Sequence, residues 1–454
     1  MSANPAGGCT RRPAREGLLP LLVFLLPLAV YLRTMAPTVC SHDSAELVTG
    51  AWTLGIVHPP GCPAYLMLAR VFCVLPFGDP AWRVNLLSAV GAAAAVTFAY
   101  LLARRWGCPA GLAVAGAWWF AFSRAFWPWA LVAELYAPST CLAAAVLWLV
   151  FRWTDEHRRR DLWLAGGIFG VGLGVHTSLV LLLPALAWLV LTDPTRSRRR
   201  PSQMAGPVLL GMLSALAVFL YLPLRHAAAP AADWLRDTGA AIDPGSAGGL
   251  WWMIRGGPFA RLFFSVPWRD VASRCSGFAL QLFANFGVIG VVAGVLGFVS
   301  GYETRPRGRR TTALLLVFLF YSGFFLTYRI YDWEWMFSVS HMLWGIAAAG
   351  GLSAVARSFP LPHRGAASRW VTAVGLLLAG GMLWSNGPDV DRSGDRAARR
   401  AGERFLAEAP PDAVLTVRWR MFHVARYLQL VEGLRPDVTL RRENDADRRA
   451  PMDN

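Results

Sequence analysis

The chain is short of charge. Only 16% of its 454 residues are charged while 55% are hydrophobic, and the mean hydropathy is +0.40. A soluble domain of this length carries more charge and interrupts its apolar runs more often. Its seven cysteines include no C-x-x-C pair, so neither a zinc site nor a disulfide scaffold is indicated. Cys40 and Cys62 can pair if the stretch between them faces an oxidising compartment, or simply pack as small residues. No repeat of solenoid period and no heptad run is present. No small-x-small cleavage site follows the first apolar run, and Thr38-Val39-Cys40 lacks the small residue a lipoprotein site needs before its cysteine. That run therefore reads as an uncleaved first helix. A continuous basic face is missing too. The net charge of +16 sits in short arginine clusters between apolar spans, which points to membrane topology and anionic lipid headgroups rather than to nucleic acid.

What the chain does have is apolar segments of about twenty residues, enough to cross a hydrocarbon core of roughly 30 Å. We expect an all-α polytopic membrane protein of about eleven transmembrane helices. The first four are Gly17–Thr34, Val84–Ala103, Pro109–Ser123 and Trp127–Phe151. Residues 162–191 lie between the basic clusters Arg158–Arg160 and Arg196–Arg200. Two short helices turning near His176-Thr177 keep both clusters on one side. Met204–Leu224, Phe278–Ser300, Thr311–Thr327, Met336–Ala356 and Trp370–Trp384 complete the set. The basic loops then fall on the cytoplasmic side, with residues 1–16, and the tail 386–454 falls outside. Two longer loops also lie outside, 36–83 and 225–275. The first includes Ala64–Leu75, too brief to span and better read as an interfacial helix. The tail reads as a helix Arg396–Ala409, a break at Pro410-Pro411, a strand Ala413–Val417 and a helix Met421–Val431.

The chemistry-bearing stretch runs from Ser41 to Arg70. Asp43 and Glu46 are three apart, so a helical turn puts both carboxylates on one face. There they can act as bases, bind a metal ion or cap the helix, and Ser41 to Ser44 precede an apolar run as capping residues do. His58-Pro59-Pro60-Gly61-Cys62-Pro63 cannot continue a helix, because proline removes backbone donors and forces its predecessor extended. It forms a rigid turn presenting His58, to bind an anionic group or to cap a neighbouring helix. Arg83, Asn85, Arg124, Glu134, His176, Arg225, Arg329, Asp332 and Glu334 fall at the same level of the membrane. Any one arginine there is explained by snorkelling, but several spans converging on one face suggest a site.

From about Tyr31 to Trp153 the chain resembles the transmembrane protein O-mannosyltransferases of the GT-C superfamily and their bacterial relatives. The resemblance rests on Ala36-Pro37-Thr38, Asp43-Ser44-Ala45-Glu46-Leu47, Leu54-Gly55-Ile56-Val57-His58-Pro59-Pro60-Gly61, Arg83-Val84-Asn85-Leu86-Leu87-Ser88 and Ala133-Glu134-Leu135-Tyr136-Ala137. Weaker matches continue through His176-Thr177, Tyr221–Arg225 and Asp412–Val414 to Tyr427–Val438. Ala45 stands where the family usually has glycine, and Cys62 where it usually has an aromatic residue. The resemblance implies a GT-C fold over 17–385 and transfer of a sugar, mannose first among candidates, from a polyprenyl-phosphate carrier to a protein or glycan hydroxyl on the outer face. It implies Asp43 as the base and Glu46 as a second carboxylate orienting it. His58, Arg83 and Arg225 become candidates to hold the lipid phosphate, with Asn85, Arg124, Glu134 and His176 as further substrate contacts. No cofactor and no metal enter this expectation, since two carboxylates are too few ligands. The setting is a bacterial inner membrane or the endoplasmic reticulum. A lipid or solute transporter is the alternative, for which polar residues at mid-membrane, broken helices and inverted repeats are expected. A non-catalytic scaffold is the third reading.

Overall fold

In the computed structural model, residues 14–195, 202–303 and 305–443 are described. Their helices, in chain order, begin with α1 (Ala14–Thr34), α2 (Asp43–Thr53), α3 (Pro63–Cys73), α4 (Pro80–Arg105), α5 (Ala110–Ala121) and α6 (Tyr136–Glu156). Then come α7 (Arg159–Leu173), α8 (Leu183–Leu191), α9 (Ser202–Phe219), α10 (Tyr221–Ala227), α11 (Trp234–Asp237) and α12 (Ala247–Ile254). The last six are α13 (Trp268–Ser300), α14 (Arg305–Thr327), α15 (Ser338–Ser358), α16 (Arg364–Val390), α17 (Ala397–Ala407) and α18 (Trp419–Glu432).

Among the described residues, eight helical stretches are long and apolar enough to cross a membrane. These are α1, α4, α6, α9 with α10, α13, α14, α15 and α16. The other three expected spans are also helices, but short ones: α5 has 12 residues, α7 has 15, and residues 177–191 run from a 3-10 turn into α8. Arg11 and Arg12, expected to flank the first span, and Arg196–Arg200 lie outside the described residues.

α15 is the centre of the bundle, with every residue from Ser338 to Ser353 buried. Small residues let its backbone meet that of α13. A Cβ on Gly297 would lie 1.8 Å from the Ala347 carbonyl oxygen, and one on Gly351 would lie 1.9 Å from that of Ala293. Such close crossings are how helices pack where lipid removes the hydrophobic drive between them. α1 and α16 lie at the periphery and expose apolar side chains such as Leu21, Leu25, Trp370 and Leu377, as lipid-facing helices do.

The bundle has two unlike ends. At one, Arg105 pairs with Asp155 and Glu156, Arg310 with Asp155, Arg152 with Asp161, and Arg357 with Glu303. The other end carries loop 36–83, residues 225–275 and the tail. The expected reversal near His176 is visible in its contacts. Gly174 accepts a hydrogen bond from the Ala64 backbone at the loop end, while the Leu189 carbonyl accepts from Arg309 at the arginine end.

The tail follows the expected order and adds a strand. Val414–Val417 pairs in parallel with Thr439–Arg442, and α18 forms the crossover between them. Leu406, Phe422, Tyr427 and Leu428 of the tail join Leu47, Val48 and Leu66 of loop 36–83 in one apolar core. Asp79 fastens the two parts. It caps α4 through the Ala81 and Trp82 backbones, and accepts from Thr38, from Arg399 at 3.0 Å and from Tyr427 at 3.2 Å. Arg399 also forms a two-pronged bond to Glu432 at 2.7 and 2.6 Å. Cys40 and Cys62 are free and buried, so they pack rather than pair.

Replacing Asp79 with Ala removes a cap and leaves Arg399 and Tyr427 short of an acceptor. We expect a loss of about 2–4 kcal/mol. It should appear as a lower thermal midpoint in detergent and earlier proteolytic cleavage of the tail; unchanged proteolysis would count against the fastening role.

Candidate active site

α2 is a short helix with opposite charges at its two ends. Its first turn holds Asp43 and Glu46, and every residue from Ser44 to Ala51 is buried. Its last carbonyls are capped by arginines, Arg70 donating to Trp52 at 2.6 Å and Arg225 to Leu54 at 2.6 Å and Thr53 at 3.2 Å. Acids at the start and cations at the end both complement the helix dipole. Residues beyond α2 are clipped in place by the second long loop. The Ile56 backbone donates to Ala232, and Trp234 donates back to Ile56. Gly55 permits this approach, since a Cβ there would lie 2.3 Å from the Ala232 oxygen.

The clip delivers His58 to the two carboxylates. Glu46 accepts from the His58 backbone at 2.7 Å and from its Nδ1 at 2.8 Å. The other ring nitrogen, Nε2, faces Asp43 at 4.0 Å. Glu46 is buried, whereas the Asp43 side chain keeps 32% of its exposure. One ligand atom from each of the three lies within 4.8 Å of the others. The trio has the residue types to hold a cation, but the Glu46–His58 bond would have to open before all three could do so.

The charges follow from this geometry. Burial alone disfavours the His58 cation, but Glu46 and Asp43 outweigh it and push its pKa up to about 10. Burial likewise opposes the Glu46 anion, yet the His58 cation holds its carboxyl down to about 2. Burial raises Asp43 to about 6, with His58 opposing and Glu46 and Asp332 adding to the rise. Glu134 is raised well above the carboxylate range by burial and then by Asp43. His176 is lowered to about 4 by burial and by the His58 cation. The centre therefore holds a fixed ion pair and, beside it, a carboxylate that titrates near neutrality.

Of the expected site residues, Asp43, Glu46 and His58 come together, with Glu134, His176 and Asp332 close enough to feel their charges. The rest are drawn elsewhere. Arg83 donates to the carbonyls of Phe77, Cys73 and Gly78. Arg225 caps α2, and Arg124 is taken up by Asn386 and Asp389 on α16. Asn85 is buried and holds Ala36 and Thr38. In this arrangement Arg83, Arg124 and Arg225 donate to the protein, as does the Asn85 amide nitrogen, while the Asn85 side-chain oxygen is buried without a partner. Two groups were not anticipated. His423 of α18 puts its Nε2 3.8 Å from the Glu46 carboxylate. An aromatic rim also gathers around His42, whose ring lies 6.1 Å from Trp335 and 6.4 Å from Trp419, with Trp129 and Tyr136 continuing it.

Residues 43–199 match the family model of the protein O-mannosyl-transferase TMEM260 N-terminal domain. The protein O-mannosyl-transferase TMEM260 of Mus musculus is 26% identical over 96% of this chain, which spans 64% of that relative's length. Among solved structures, the Archaeoglobus fulgidus oligosaccharyltransferase superposes with a TM-score of 0.59 at 11% identity, covering 92% of this chain and 64% of its own. ArnT from Cupriavidus metallidurans, bound to undecaprenyl phosphate, gives 0.58 at 13% identity and covers 95% and 90%. The fold is that of the GT-C glycosyltransferases. The family model and the mouse relative agree with the resemblance read from the residues. Within this GT-C fold the matched segment begins at Asp43 and includes Glu46, His58, Glu134 and His176, while Asp332 and His423 lie beyond it.

The ion pair has a defined pH window. Glu46 sits below its ordinary 4.5, so its contribution to stability is complete above that value and fades as pH falls towards 2. His58 sits above its ordinary 6.5, so its contribution is complete below that value and fades as pH rises towards 10. Linkage therefore places the full effect between about 4.5 and 6.5. The thermal midpoint of Glu46→Gln should trail wild type most in that window and progressively less towards pH 10; a pH-independent gap would contradict the pairing.

Proposed function

We propose that this chain transfers a sugar, mannose first among candidates, from a polyprenyl-phosphate carrier to a hydroxyl acceptor, a protein Ser or Thr, at the outer face of a membrane. The observation that carries the reading is the pairing of Asp43, a carboxylate raised to about 6, with His58, a cation whose Nε2 faces it at 4.0 Å. Phosphate is already a competent leaving group, so the reaction calls for a base and a cation more than for an acid. Asp43 takes the proton of the acceptor hydroxyl. The acceptor oxygen forms a bond to the anomeric carbon as the bond from that carbon to the phosphate oxygen breaks. The phosphate leaves with the electron pair, and His58 supplies positive charge where negative charge develops. One displacement inverts the anomeric centre. Glu46 keeps His58 charged and turned so that Nε2 faces Asp43. Glu134 and His176 close the back of the site as neutral groups.

Orientation follows from charge. We read the arginine-rich end as the cytoplasmic one, on the positive-inside pattern; the carboxylate end, the tail and the carrier's sugar then face outward, from a bacterial inner membrane or the endoplasmic reticulum. The aromatic rim of His42, Trp129, Tyr136, Trp335 and Trp419 suits a sugar and the interfacial part of a polyprenyl chain. Transport is the second reading, and the interruption of α13 at Gly287, with φ 63° and ψ 177°, speaks for it. Two residues earlier, Asn285 binds the backbone of Ala125, just past the end of α5. The break therefore lies near the site end rather than at the midplane where transporters bind substrate.

Purified protein given a radiolabelled polyprenyl-phosphate sugar and an acceptor peptide should form glycopeptide, with kcat rising as pH passes about 6 and Asp43 ionises. Asp43→Asn should lose a factor of about 10²–10⁴. Because Asp43 is raised from 3.8, its ionisation costs stability as pH climbs towards 6. The same variant should therefore melt no lower than wild type at pH 7, and full activity in it would rule out its role as base. The reading uses no metal, so transfer should survive chelation; loss with EDTA and recovery with a divalent cation would assign one to Asp43, Glu46 and His58.

A further inference from the structure

The tail helix α18 brings a histidine to the centre of the site. His423 is buried at 7% exposure, and its Nε2 has no hydrogen-bond partner. That atom lies 3.8 Å from Oε2 of Glu46, the same oxygen that accepts from His58 Nδ1 at 2.8 Å. The ring is held by neighbours on its own helix, with Trp419 at 5.7 Å and Phe422 at 5.3 Å between centroids. Burial lowers its pKa to about 4, against the pull of Glu46, so it meets the carboxylate as a neutral imidazole. A neutral ring facing an anion presents its N–H, without setting a second positive charge against His58. Beside it lies a chamber of about 20 Å³ lined by Glu46, Asp237, His423 and Arg426 among others. That is room for one bridging water, which makes good a separation beyond direct hydrogen-bond reach.

We infer that His423 is a positioning residue for Glu46, and that the tail is thereby part of the active site. This rests on the transfer reading above only for its effect on rate. Glu46 is then gripped from two sides, by His58 on the turn after α2 and by His423 on the tail. Its carboxylate cannot rotate away from His58, and Nε2 of His58 stays aimed at Asp43. The tail's fastening at Asp79 and Arg399 acquires a purpose, because a tail that lifts releases one side of the grip. A purely structural His423 would instead fill space against α2 and could be replaced by any ring of its size.

The test uses the full chain in detergent, with His423→Phe, which keeps a ring and removes the N–H, and His423→Gln, which keeps an amide N–H near the position of Nε2. Thermal midpoints are first measured in wild-type and Glu46→Gln backgrounds, with no turnover required. The deficit of His423→Phe should largely vanish when Glu46 is already Gln; an equal deficit in both backgrounds overturns the inference. In the transfer assay His423→Phe should lower kcat ten- to a hundredfold with KM for the lipid-linked donor within twofold, and His423→Gln should recover most of it. Wild-type kcat in His423→Phe, or no recovery with Gln, overturns it. If the Phe variant fails to fold, His423→Met against His423→Gln makes the same comparison. If wild type transfers no sugar, the transfer reading fails while the stability cycle still decides the contact between His423 and Glu46.

Discussion

The bond between Glu46 and His58 is the interaction on which the site depends. A buried carboxylate and a largely enclosed imidazole are each costly to charge alone, but at 2.8 Å each favours the other's charge. With His58 fixed as a cation, Asp43 has a positive neighbour at 4.0 Å and still titrates near neutrality because it is partly enclosed. If the pair is broken, His58 loses its charge and orientation together. Asp43 then faces Glu46 and Asp332 with nothing to offset their repulsion. Much of the surrounding structure exists to keep this pair in register.

That support comes from distant parts of the chain. Arg70 and Arg225 hold the far end of α2, residues 232–234 clip the backbone just before His58, and Asp79 ties the loop to the tail. The GT-C bundle supplies a rigid floor in α13 and α15, packed through glycine. The polar architecture on top of that floor is stitched by arginines, by backbone carbonyls and by the carboxylates of Asp79 and Glu432. The site therefore behaves as one unit with the tail, and the segment matching the family model, residues 43–199, holds only part of it.

Much of this was legible in the sequence, because it rests on short-range patterns. The three-residue spacing of Asp43 and Glu46, the proline-locked turn at His58 and the reversal at His176 are local facts, and each appears where it was expected. The tail order was legible for the same reason, with the second strand missed because Thr439–Arg442 is too short and too polar to announce itself. The arginines are where the structure departs furthest from the expectation. A guanidinium with five donors satisfies a helix end as readily as a phosphate, and a sequence does not say which carbonyls will be left over nearby. Arg83, Arg124 and Arg225 went to such partners. His423 was invisible for the opposite reason. Nothing local marks Trp419–Glu432 as other than a tail helix, and its contact with Glu46 spans most of the chain. The one available signal was the match over Tyr427–Val438, which hinted that the tail shares the family's constraint.

The most direct measurement of the central claim is a double-mutant cycle on the pair itself, comparing kcat for Glu46→Gln, His58→Asn and the double variant with wild type. If the two residues act as one unit, the double variant should be no slower than the worse of the singles, so that the second substitution adds almost nothing. If the two losses multiply instead, Glu46 and His58 act independently and the account of Asp43 as a base set by their pairing is wrong.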